Sequence, residues 1–133
     1  MNTHLHLLEA FINLYRIFPD EQLRNKVVEL IRIFLDQIIN HKANHLFLFF
    51  DEQWPIRSNI VSYGHDIEAA WLMQESVETI REDSLFEDVS RISVKIAEAA
   101  AQGLDSDGGL WYEYDLQEQQ LVRQNIPGHR LQQ

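Results

Sequence analysis

The sequence predicts an all-α chain of four helices, arranged as two helical hairpins with short extended ribbons in the connections. Three observations lead there. Apolar residues recur at helical spacing over four long segments. The extended segments between them are brief. And one phrase occurs twice, His6-Leu7-Leu8-Glu9-Ala10-Phe11 and His65-Asp66-Ile67-Glu68-Ala69-Ala70-Trp71, with 65 − 6 = 59 residues between the copies. The second hairpin therefore echoes the first. Repeated hairpins stack on neighbours, and two copies seldom close a core by themselves.

The first helix is expected from Thr3 to Ile17, with Pro19 stopping it. It is apolar nearly all round, except for a stripe of Asn2, His6, Glu9 and Asn13. Such a stripe is either the wall of a wet cavity or the solvent face of an amphipathic helix. The second helix starts at Asp20, a good N-cap residue, and is expected to reach Ile39. Its C-terminal half is apolar on most sides and needs partners on two of them. Asn40 to Asn44 is a polar loop, and His45 to Glu52 reads as a phenylalanine-rich strand broken by Trp54-Pro55.

Ser58 to Gly64 is a connection into a third helix, His65 to Glu82. Ser84-Leu85-Phe86-Glu87 is a capping-box pattern for a fourth, which runs to Gly103. After the turn Asp107-Gly108-Gly109, residues Leu110 to Asp115 alternate, with Leu110, Tyr112 and Tyr114 on one face and Trp111 and Glu113 on the other. Gln117 to Gln120 turn the chain back to Leu121-Val122. Residues 1–123 form the patterned domain. Residues 124–133 lack periodicity and are expected to be a loose tail.

Composition narrows the function classes. The chain has 133 residues, one domain's worth or less, and a formal net charge of −10. That charge argues against nucleic acid and against anionic membrane surfaces as partners. With no cysteine, thiolate and disulfide chemistry are excluded. The N-terminus lacks a secretory pattern and the longest apolar run, Leu46 to Phe50, cannot span a bilayer. A cytoplasmic location is expected. His4 and His6 lie about 200° apart on a helix and cannot grip one metal ion, so no metal site is expected.

The repeated phrase carries the chemistry. Each copy sets an imidazole and a carboxylate at i and i+3, on one face of its helix. That pairing suits proton transfer, and it also suits a structural hydrogen bond. Trp71 lies about 120° round the helix from His65, as core or pocket wall. Phe47, Phe49, Trp54, Trp111 and Tyr112 could stack on a sugar ring or simply cover helix ends.

Asn2-Thr3-His4-Leu5-His6-Leu7-Leu8-Glu9-Ala10 and Ser62-Tyr63-Gly64-His65-Asp66-Ile67-Glu68-Ala69 resemble the N-acylglucosamine 2-epimerase family, and within it the cellobiose 2-epimerase branch. Leu48-Phe49-Phe50-Asp51-Glu52 and Gly108-Gly109-Leu110-Trp111-Tyr112-Glu113 add to the likeness, which covers residues 1–123. The resemblance implies part of an (α/α)6 barrel with its site in the barrel mouth. It implies C2 epimerisation of a reducing mono- or disaccharide, with no metal and no cofactor, through an enediolate. It assigns His65 as one of two acid/base histidines and His6 as the histidine that holds sugar oxygens and polarises the carbonyl. Asn2 stands beside His6, Glu68 orients substrate hydroxyls or the ring oxygen, and Trp71 is a nearby aromatic.

The family's second acid/base histidine falls beyond this chain's last residue and its substrate arginine before the first. The stretch Gln124 to Gln133 departs from the family pattern, as a split, frameshifted or partial reading frame would, and His129 has no family counterpart. The expectation is a portion of a sugar 2-epimerase that is inactive alone, with apolar edges on the second and fourth helices that favour self-association. Two other readings use the same scaffold. One is a non-catalytic helical-repeat or carbohydrate-binding module. The other is a glycoside hydrolase relative, for which Glu9 and Glu68 are the candidate carboxylates.

Overall fold

The computed structural model describes residues 1–48 and 59–122. Four α-helices carry the fold: α1 (Asn2–Ile17), α2 (Glu21–Ile33), α3 (Tyr63–Ile80) and α4 (Asp83–Ala100). Short strands lie in the connections: β1 (Ile39–Asn40), β2 (His45–Leu46), β3 (Ile60–Ser62), β4 (Glu113–Asp115) and β5 (Gln120–Val122). The two expected hairpins are present, α1 with α2 and α3 with α4.

Helix starts and stops follow from local chemistry. Phe18 leaves helical geometry just before Pro19, which has no N–H to continue a ladder. Asp20 then caps α2, its carboxylate accepting from the Leu23 N–H at 3.1 Å. Arg81 ends α3 in the left-handed region at φ 52°. Arg24 of α2 covers that end: its Nε donates to the Ile80 carbonyl at 3.1 Å and its Nη2 to Glu82 at 2.6 Å. A guanidinium at a helix C-terminus satisfies exposed carbonyls and complements the dipole. The hydrogen bond from Ser84, and secondarily Arg24, holds the Glu82 carboxyl below its ordinary range.

One core joins all four helices. It includes Leu5, Leu8 and Ile12 of α1, Val27 and Ile31 of α2, Met73 and Val77 of α3, and Val89 and Ile96 of α4, all essentially inaccessible to water. A smaller cluster of Val61, Tyr63 and Ala100 sits at the other end, covered by Trp111 and Tyr114. Gly103 is pressed against this cluster. A Cβ placed on it would lie 2.4 Å from the Tyr63 ring. Gly103→Ala is therefore expected to destabilise the chain by about 1–3 kcal/mol, the usual range for overpacking, read as a lower urea midpoint. An unchanged midpoint would show that the Tyr63 ring can move aside.

The structure corrects several boundaries. The second helix does not stay regular to Ile39. Residues Phe34–Ile38 widen into a π turn, and β1 follows. Phe34 and Ile38, four residues apart, are both fully buried there, as on the apolar stripe of a regular helix. The polar loop is the turn of a small hairpin, with Ile39 opposite Leu46 and Asn40 opposite His45. The Asn40 side chain accepts from the Lys42 and Ala43 N–H groups there. Of the phenylalanine-rich strand, His45–Leu46 forms β2 and the Phe47 N–H still donates to the Ile38 carbonyl at 2.8 Å; Phe49 to Glu52, Trp54 and the tail 124–133 lie outside the described residues.

The expected connection before α3 is in part a strand. β3 pairs antiparallel with β4, placing Ser62 opposite Glu113, and β4 pairs with β5, giving the order β3-β4-β5. The alternation expected from Leu110 to Asp115 is not seen in the burial of β4, where Glu113, Tyr114 and Asp115 are all half-buried. Trp111 and Tyr114, expected on opposite faces, both pack on the Val61 cluster, and the Trp111 N–H donates to the Gly103 carbonyl at 2.8 Å before the strand begins. The capping box does not form: α4 begins at Asp83 without a side-chain cap, and the Ser84 hydroxyl donates to Glu82 instead. Of the two exposed apolar edges expected, the one on the fourth helix is present and the one on the second is not. Leu7, Leu14 and Ile17 of α1, Ile67 and Trp71 of α3, and Phe86 and Val94 of α4 are exposed, while the large apolar residues of α2 are buried or half-buried.

Candidate active site

The two histidine–glutamate phrases lie on α1 and α3, which pack side by side. Their relative direction follows from the connections. Residues 18–20 join the end of α1 to the start of α2, and Arg24 near that start reaches the end of α3. The C-terminal ends of α1 and α3 are thus together, and the two helices run parallel. Arg16 pins them there. Its guanidinium donates to Asn13 of its own helix at 2.7 Å and to Glu75 of α3, with Thr79 at 3.4 Å.

That pin fixes the level of the histidines. Arg16 and Glu75 are separated by 59 residues, as are His6 and His65, and Glu9 and Glu68. Each histidine stands ten residues before its half of the pin (16 − 6 and 75 − 65), about 15 Å along its helix. His6 and His65 therefore lie at matching heights on neighbouring parallel helices. Asn2, His6, Glu9 and Asn13 are all exposed, His65 and Glu68 are half-buried, and Trp71 is 59% exposed.

Neither phrase forms the internal hydrogen bond that its spacing allows. Among the described residues, no bond joins His6 to Glu9 or His65 to Glu68. His65 turns the other way, with Nδ1 at 2.8 Å from the Ser62 hydroxyl. His4 diverges from His6, as the helical angle requires: its ring is half-buried, edge-on to Phe34 at 6.4 Å, and burial, with the nearby N-terminus, lowers its pKa. A cleft of about 360 Å³ between the π turn and α4, lined among others by Asp36, His41, Arg91 and Lys95, contains none of the expected site residues. They are exposed or half-buried positions of α1 and α3 instead.

Sequence reasoning missed the residues that hold these positions in place. Asp66 is fully buried. One of its carboxylate oxygens accepts from the Leu46 N–H at 2.8 Å, and the other from Nδ1–H of the buried His45 at 2.7 Å. A carboxylate can only accept, which fixes the proton on His45 Nδ1. Asp66 thereby ties the first turn of α3 to β2. Tyr63 packs edge-on to His45 at 6.1 Å, and its hydroxyl pKa is raised, first by burial and then by Tyr114 and Asp66. An acidic residue on the apolar side of an otherwise regular helix was the available signal for Asp66. A serine directly before a helix was the signal for Ser62.

Comparison with known proteins gives the family and the fold. The family model for N-acylglucosamine 2-epimerase (GlcNAc 2-epimerase) matches residues 1–129. A cellobiose 2-epimerase of Bacteroides fragilis is 45% identical over 116 residues, which is 87% of this chain and 30% of that protein. One from Dictyoglomus turgidum is 40% identical over 113 residues, 85% of this chain and 29% of that one. Among solved structures, the cellobiose 2-epimerase of Bacillus thermoamylovorans superposes with a TM-score of 0.82 at 36% identity, over 87% of this chain and 30% of the other. A sugar epimerase from a ruminal bacterium gives 0.85 at 30% identity, over 91% and 31%. The chain thus spans about 30% of the length of these relatives. They are (α/α)6 barrels, and the two hairpins described above are part of that barrel. With the family model matched over nearly its whole length, the chain belongs to the N-acylglucosamine 2-epimerase family.

Proposed function

We propose that the open face of α1 and α3 is one wall of a sugar 2-epimerase site for the reducing end of a disaccharide such as cellobiose. One observation carries this reading: His6 and His65 stand at the same level on parallel neighbouring helices, on faces where polar and large apolar side chains are exposed together. A plain solvent face would not leave Leu7 and Leu14, each within about 100° of His6, and Trp71, three residues after Glu68, open to water. Mixed apolar and hydrogen-bonding surface is what a sugar ring needs.

In this mechanism the ring opens to its aldehyde. His65 removes the C2 proton through Nε2, and the electron pair moves into a C1–C2 enediolate with negative charge on O1. His6 donates to that oxygen, and Glu68 holds sugar hydroxyls. Asn2 supports His6, and Trp71 supplies an apolar surface for the ring. Return of a proton to the opposite face of C2 inverts the centre. Histidine suits this work because it gives and takes protons near neutral pH. Inversion also needs a second proton donor on the far face, which the family resemblance places outside these residues.

Two measurements test the reading. In an NMR titration with cellobiose, the ring signals of His6 and His65 are expected to shift together while those of His41, in the cleft beside α4, stay fixed. Shifts at His41 with none at His6 and His65 would overturn it. The isolated 133-residue chain is expected to show no C2 inversion of cellobiose, and accumulation of the inverted disaccharide would show that a second donor is already present.

A further inference from the structure

Ser62 stands at the N-cap position of α3, where a serine hydroxyl ordinarily accepts a hydrogen bond from a backbone N–H of the first turn. Here it makes no such cap. Its Oγ lies 2.8 Å from Nδ1 of His65, three residues on. The hydroxyl has been diverted from the backbone to a side chain, and the cost of an uncapped N–H has been accepted for it.

The position of that hydroxyl is fixed from several sides. Ser62 is 2% exposed. Its backbone is paired with Glu113 in the β3–β4 ladder. The next residue, Tyr63, is wedged against Gly103 and His45, and Asp66, one turn into α3, is tied to β2. A serine held this firmly can orient the ring that touches it.

We propose that Ser62 is a positioning residue for His65, which holds the imidazole in its Nδ1–H tautomer and leaves the Nε2 lone pair for the substrate. The inference rests on the epimerase reading for its purpose, though not for its geometry. In a neutral imidazole one nitrogen donates and the other accepts, and the bond made by one sets the role of the other. With Nδ1–H donating to Ser62 Oγ, Nε2 is unprotonated and can accept the C2 proton. Once it has done so, the imidazolium still donates Nδ1–H to the same oxygen. One contact therefore serves the ring before and after proton transfer, with no rearrangement between the steps. A carboxylate in this place would bind the imidazolium far more tightly than the neutral ring and oppose return of the proton. A hydroxyl discriminates less.

The test is the tautomer itself, read in the 133-residue chain without sugar from the two ring ¹⁵N shifts of His65 at a pH where the ring is neutral. The expected result is Nδ1–H in the parent protein and in Ser62→Thr, with a shift toward Nε2–H, the ordinary preference of a free imidazole, in Ser62→Ala. A parent ring that is already Nε2–H overturns the proposal. So does a folded Ser62→Ala protein whose His65 tautomer is unchanged. Should Ser62→Ala fail to fold, the parent and Ser62→Thr spectra decide alone. Failure of the cellobiose titration leaves this readout untouched, so the two readings fall separately.

Discussion

Asp66→Ala will cost the chain about 2–5 kcal/mol of folding stability, the expected effect of leaving two buried donors without their acceptor. Asp66 is fully buried, and its two oxygens take the Leu46 N–H and the His45 Nδ1–H. Alanine leaves both donors without a partner and out of reach of water. Asp66→Asn should cost about 1–2 kcal/mol. Its carbonyl still accepts from Leu46, and its amide can donate to Nδ1 once His45 changes tautomer. The measurement is urea unfolding of both variants, with an unchanged m-value showing that the same surface is exposed. If Ala and Asn were equal and both within about 0.5 kcal/mol of the parent, the tie between α3 and β2 would carry no weight.

The contrast between Asp66 and its neighbours shows what the sequence made legible. The four helices stood out because their apolar residues recur at a period that needs no knowledge of tertiary contacts. His6 and His65 stood out because the phrase around each is repeated. The 59-residue echo even contained the Arg16–Glu75 pin, at the same offset, although those two residues differ in type and so do not look like a repeat. Features that depend on distant partners were hidden. Asp66 finds His45 across 21 residues, and β3 is a strand only because β4 returns to Ser62 from Glu113. The π turn at Phe34–Ile38 was hidden too, because the apolar period runs through it as it would through a regular helix. At Ser84 the local rule failed for a local reason: the hydroxyl had a nearer acceptor in Glu82, and side chains of this kind readily choose between such partners.

The largest effect on activity is expected at His65, and it needs a context in which the rest of a barrel is supplied. The Bacteroides fragilis cellobiose 2-epimerase, 45% identical over 116 residues, offers one. A chimera carrying residues 1–122 of this chain in place of the matching stretch is expected to epimerise cellobiose. His65→Asn in that chimera should lower kcat by about 10³-fold, within the usual range for loss of a general acid–base group, with unfolding unchanged because His65 is half-buried on the open face and outside both apolar clusters. His6→Asn should lower kcat less, since asparagine can still donate to the developing O1 charge. Trp71→Ala should act mainly on KM, because an exposed apolar wall binds the ring without touching the reacting proton. The order of these three effects matters more than any one of them. If His65→Asn kept activity within about tenfold of the parent chimera, proton transfer would have to be reassigned. The likeness of this face to a binding surface would then outweigh its likeness to a catalytic one.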